Sequence, residues 1–109
     1  MRDPLGRGPK MPIDVEWQDE RGGQRARYNG PPVTRLLVER AEPTSPCLRF
    51  IDPYGNTTFN QHQLPVLIAE LETLSAVTTD GQAAVIRALL LFLATARDQV
   101  HTYIKFIGD

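Results

Sequence analysis

Between Phe50 and Leu71 the pattern of apolar residues changes period, and this change limits what the chain can fold into. Up to Asn60 apolar and polar residues tend to alternate, as half-buried strands require, whereas Leu64, Leu67, Ile68, Leu71 and Leu74 recur at helical spacing. Asp52, Pro53, Tyr54 and Gly55 fit a type I turn position by position. Asp bonds its own backbone, Pro presets φ at the second site, and Gly tolerates the exit geometry. The spacing therefore predicts a hairpin, with residues 47–51 before the turn and Thr57, Thr58 and Phe59 after it. Asn60 ends the second strand. Two helix starts are open from there. In one, Asn60 caps, Gln63 reaches back and Phe59 staples onto Leu64. In the other, Pro65 begins the helix after an irregular turn over residues 60–63.

Before this stretch, Ile13, Val15 and Trp17 alternate with Asp14, Glu16 and Gln18, and Ala26 and Tyr28 alternate with Arg25 and Arg27. These are two strands of a hairpin whose acids and arginines share an outer face, where opposite charges support pairing. Gly30, Pro31 and Pro32 interrupt the sheet, residues 33–40 read as a third strand, and residues 42–46 turn into the strand that contains Cys47. After the first helix, Thr79 and Gln82 form a capping-box pattern ahead of a second helix over 80–97. Val85, Ile86, Leu89, Leu93 and Ala96 make its core stripe, flanked by Leu90 and Phe92, while Ala84, Ala88 and Leu91 project to the opposite side, where a helix apolar on two sides is either sandwiched by a second intramolecular contact or exposes a patch to a partner. Residues 100–107 close the chain as a strand, with Thr102, Ile104 and Phe106 on one face and His101, Tyr103, Lys105 and Ile107 on the other.

The order β-β-β-β-β-α-α-β predicts an α+β fold: a mostly antiparallel sheet with an antiparallel helix pair packed on one face. The last strand is rich in apolar residues on both faces, which suits a return into the middle of the sheet beside an early strand, while the order of strands within the sheet is not deducible from the pattern. Residues 1–11, rich in Gly, Pro and basic side chains, read as a flexible basic N-terminal tail, and residues 12–109 as a single α+β domain.

A chain of 109 residues can remove roughly two-thirds of its unfolded surface from water and needs no external staple. Its one cysteine, Cys47, excludes an intramolecular disulfide and suggests a buried thiol in a reducing, cytoplasmic compartment. A net charge of −1 and a pI near 6.1 give no field to attract nucleic acid. The longest apolar run, residues 88–94, is far below the roughly 20 residues of a membrane span. With one Cys and two distant His no structural metal site can close, and neither a phosphate loop nor a nucleophile elbow is present, so no metal or cofactor is expected.

Two groups of polar residues remain. Arg49, Asp52, Tyr54, Asn56, Asn60 and His62 form a corner where an acid and an imidazole can do acid-base work or hold a ligand. His101, Tyr103 and Lys105 on the last strand would suit an acidic partner, and Ala84, Ala88 and Leu91 would suit an approaching helix. In size and architecture the chain is similar to small bacterial α+β proteins, among them immunity proteins that neutralise toxins, with no motif to carry residue roles across. The expectation is a cytoplasmic, bacterial-type protein-interaction module without catalytic activity, immunity- or antitoxin-like or a homodimeric adaptor. The alternative is a small ligand-binding or hydrolytic domain using the corner from Asp52 to His62.

Overall fold

The computed structural model describes residues 14–108, and the expectations for residues 1–11 and for Ile13 lie outside them. In chain order the elements are β1 (Val15–Gln18), β2 (Gln24–Arg27), α1 (Thr34–Arg40), a 3₁₀ turn (Leu48–Phe50), β3 (Asn56–Asn60), α2 (Leu64–Val77), α3 (Asp80–Ala96) and β4 (Tyr103–Ile107). All strand pairs are antiparallel and the sheet order is β2-β1-β4-β3. The α+β class is as expected, with four strands in place of the six in the expected order.

The last strand lies in the middle of the sheet. Val15 pairs with Phe106 and Trp17 with Ile104 on one side of β4, and Thr57 pairs with Phe106 and Phe59 with Ile104 on the other. Thr102, Ile104 and Phe106 are fully buried, as their alternation required. Phe59 and Phe106 meet edge to face at 5.8 Å, an arrangement that adds to simple area burial. Against this face pack Leu64, Leu67 and Leu71 of α2 and Ile86, Leu89 and Leu93 of α3, all inaccessible to solvent. The two-residue link Thr78-Thr79 turns α3 back along α2.

Two stretches expected as strands are helical. Residues 33–40 contain β-branched Val33, Thr34 and Val38, yet all but Val33 lie in α1. Asp14 is the reason. Its carboxylate accepts the backbone N–H of Val33 at 2.5 Å, the N–H of Thr34 at 3.0 Å and the Thr34 hydroxyl at 2.5 Å. Two N-terminal donors that a short helix would leave unpaired are thereby satisfied from the start of β1. Asp14 thus does not stand on the outer face with Glu16.

Within residues 47–51, Leu48–Phe50 likewise form the 3₁₀ turn, because Glu70 on α2 accepts the N–H groups of Cys47 at 2.7 Å and Leu48 at 3.1 Å. The hairpin expected across Asp52 and Gly55 therefore has only its second strand. The turn itself is present: Asp52 Oδ1 accepts the N–H of Tyr54 at 2.8 Å. Gly55 does not have positive φ; among the described glycines only Gly22 does.

At the entrance to α2 both proposed features coexist. Asn60 Oδ1 accepts from the N–H of His62 and of Gln63, Gln63 Oε1 accepts the N–H of Asn60, and Pro65 sits in the first turn of a helix beginning at Leu64. In the β1–β2 hairpin Glu16 opposes Arg27, but a register shift at Trp17 and Gln18 takes Arg25 out of that row, and its guanidinium lies 5.6 Å from the centre of the Trp17 ring. At α3 the Gln82 amide oxygen accepts from Arg40 of α1.

Asp14→Ala should lower unfolding stability by about 2 kcal/mol or more, since it leaves buried N–H groups at Val33 and Thr34 without an acceptor. Leu89→Ala should cost roughly 2 to 5 kcal/mol and Leu91→Ala no more than about 0.5, because Leu89 is fully buried and Leu91 is 72% exposed. Urea midpoints measured at constant m value test both statements; equal losses at Leu89 and Leu91 would contradict the helix orientation.

Candidate functional site

The expected polar corner is distributed along the length of β3. Asn56 begins that strand and Asn60 ends it, so they stand roughly 13 Å apart along the backbone. Asp52 and Tyr54 lie beyond the first end and His62 beyond the second. Asp52, Tyr54, Asn56, Asn60 and His62 are all exposed. Asp52 and Asn60 accept backbone N–H groups of their own turns. Arg49, also exposed, donates to the Pro43 carbonyl at 3.4 Å and stacks its guanidinium 4.5 Å from the Phe50 ring centre. Asp52 and Tyr54 are thus separated from Asn60 and His62 by the length of β3.

A shallow cavity of about 120 Å³ does lie beside Asp14, bounded by Thr34, Arg35, Pro53 and Ile107, and none of the expected site residues lines it. It is well below the roughly 300 to 1,000 Å³ of a typical small-molecule site. Its Asp14 carboxylate is already committed to α1. Among the described residues no three His, Cys, Asp or Glu side chains are arranged to hold a metal ion.

The sheet face turned away from the helices is polar and internally matched. Across it Arg27 opposes Glu16, Glu16 opposes Lys105, and Lys105 opposes Thr58, while Gln18 and Asn60 flank Tyr103. An acid between two bases leaves little uncompensated field, and Gln18 Nε2 also donates to Glu16 at 2.7 Å. Tyr103 and Lys105 project here as expected. His101 precedes the strand with φ of 54°. Its Nδ1 lies 3.1 Å from Glu20 Oε2 and its N–H donates to Gln61.

The outer face of the helix pair is different. Leu91 and Val77 are each 72% exposed and Val66 is 42% exposed. Ala84 is exposed beside Leu91, and Ala88 is half-buried at the rim of the core. Between Gly81 and Ala96 the only charged residue of α3 is Arg87. The only charges on α2 are Glu70, engaged with the 3₁₀ turn, and Glu72. The apolar outer stripe of α2, Val66, Ala69, Ala76 and Val77, is a feature the sequence reading missed. Thr73 interrupts its helical spacing between Ala69 and Ala76, so it gives a weaker periodic signal than the leucine stripe behind it.

Cys47 is buried beneath this framework. Burial, followed by the nearby Glu70 carboxylate, pushes its thiol up to about 11, so the reactive thiolate is scarce at neutral pH. Burial and then Asp14 also raise the Tyr28 hydroxyl above its ordinary value. The chain matches no protein-family model, no curated protein and no solved structure. No helix among the described residues is long and apolar enough to cross a membrane.

The Cys47 shift has a consequence for stability. The native thiol holds its proton up to about pH 11 while an unfolded thiol loses it near 9.0, so the unfolded chain binds fewer protons in that window and stability falls as pH rises through it. Thermal unfolding from pH 8 to 11, compared between the wild type and Cys47→Ala, should show a shallower decline for the variant above about pH 9; parallel profiles would contradict the assignment.

Proposed function

We propose that this protein is a protein-interaction module without catalytic activity, and that the outer face of α2 and α3 is its contact surface. The observation that carries this reading is the exposure of Leu91 and Val77 on helices that, among the described residues, expose a single charge each. Isolated exposed leucines are ordinary, but solvated helix faces usually carry several charges, and an outward face this poor in them suits contact with another surface. The open sheet face supports the same reading by contrast, because its charges already oppose one another across the strands.

Leu91→Glu separates contact from folding. The variant should retain the wild-type unfolding midpoint within about 0.5 kcal/mol, since the side chain is solvated in the free chain. It should lose the partner or second copy that the wild type retains in affinity capture and sedimentation, because association would desolvate the new carboxylate. A wild-type chain that sediments as a monomer and retains nothing would overturn the reading, as would an unimpaired Leu91→Glu variant.

A further inference from the structure

We infer that the surface covering the outer face of α2 and α3 is the same face of a second copy of this chain, paired about a two-fold axis that runs along the two helices. The inference rests on the interaction reading above and names its partner. Among the described residues, α2 exposes one acid, Glu72, and α3 one base, Arg87. Neither makes an ion pair or a side-chain hydrogen bond among the described residues. Glu72 lies five residues before the end of α2 and Arg87 seven residues after the start of α3, which places them roughly 8 and 11 Å from the link between the helices, at similar height.

A two-fold axis parallel to the helices and between them lays α2 of one copy over α3 of the other. In that arrangement each residue meets its counterpart's partner, so Glu72 faces Arg87 of the second copy and the contact occurs twice. The face is therefore complementary to itself in charge, while Val66, Val77, Ala84 and Leu91 provide the apolar area around the two pairs. Two helices of this length present a patch of roughly 20 by 25 Å, so the dimer buries on the order of 1,000 Å² in total, at the small end of specific interfaces. Such a dimer is reversible, with the ion pairs setting orientation more than affinity.

The test uses the full chain in sedimentation equilibrium at about 100 µM, where a dimer with Kd of about 10 µM or tighter is mostly associated. The wild type should be dimeric. Glu72→Arg alone places two arginines opposite each other at both pairs, and Arg87→Glu alone places two glutamates there, so each should weaken association by about tenfold or more. Mixing the two single variants in equal amounts should restore dimers, because a Glu72→Arg copy then meets an Arg87→Glu copy with opposite charges at both contacts. Circular dichroism of each variant confirms that the monomer fold is kept. A monomeric wild type would overturn self-association, and a partner captured through Leu91 in that case would leave the interaction reading standing. A dimer that tolerates both single reversals, or one that mixing does not restore, would overturn this pairing.

Discussion

The sheet depends on a strand that arrives last. β4 pairs with β1 on one side and β3 on the other, and β1 and β3 have no contact with each other in the sheet order. Without β4 there would be a two-stranded hairpin and a lone strand, neither stable in water by itself. Ile104 and Phe106 are also where both halves of the core meet, since Val15, Phe59 and the buried leucines of α2 and α3 belong to one cluster with them. The contacts that close this arrangement link residues about as far apart as the described chain allows, so their loop-closure cost is large, though it grows only logarithmically with length. Close backbone approach tightens the end of the strand. A Cβ on Gly108 would lie only 2.7 Å from the Asp52 carbonyl oxygen and from the Gly55 nitrogen, so this position accepts nothing larger than glycine without a backbone shift.

Two carboxylates tie the peripheral segments to that frame. Asp14, at the start of β1, holds the N-terminus of α1, and Glu70, on α2, holds the 3₁₀ turn. Each satisfies a pair of backbone donors about twenty residues away in sequence, using charge-assisted bonds stronger than those between neutral groups. The same carboxylates push up their buried neighbours, Tyr28 beside Asp14 and Cys47 beside Glu70, with burial as the larger cause in both. Cys47 is thereby kept as a protonated thiol that packs rather than reacts.

The two outward surfaces differ in how their polarity is disposed of. On the open sheet face, strand register brings Glu16 between Arg27 and Lys105, so opposite charges are neighbours within one molecule. On the helix pair the apolar residues point both inward and outward, and Leu91, Val77 and Val66 stay accessible although the inward stripes are fully buried.

The period-two and helical patterns by themselves determined β1, β2, β3, α2, α3 and β4, because each buries one face against the core and the spacing of its apolar residues records that face. Apolar residues on both faces of β4 were compatible with a central place, but the order β2-β1-β4-β3 was set only by pairing between strands distant in sequence. Tertiary structure alone decided α1 and the 3₁₀ turn. Residues 33–40 and 47–51 contain β-branched or alternating apolar residues that suit a strand locally, and the carboxylates that make them helical come from Asp14 and Glu70, which no local window includes. The same limit applies to the sites. Helical phase set Leu91 opposite the core stripe but left open whether a second intramolecular contact covers it, and packing leaves it exposed; the dispersal of Asp52, Asn56, Asn60 and His62 along β3 likewise depended on where the strand runs in the sheet. Charge opposition at Glu16 and Lys105 depended on a register between strands at opposite ends of the chain. Side-chain periodicity reports which face of an element is buried; which distant group meets its exposed backbone or side chains is set only when the elements pack.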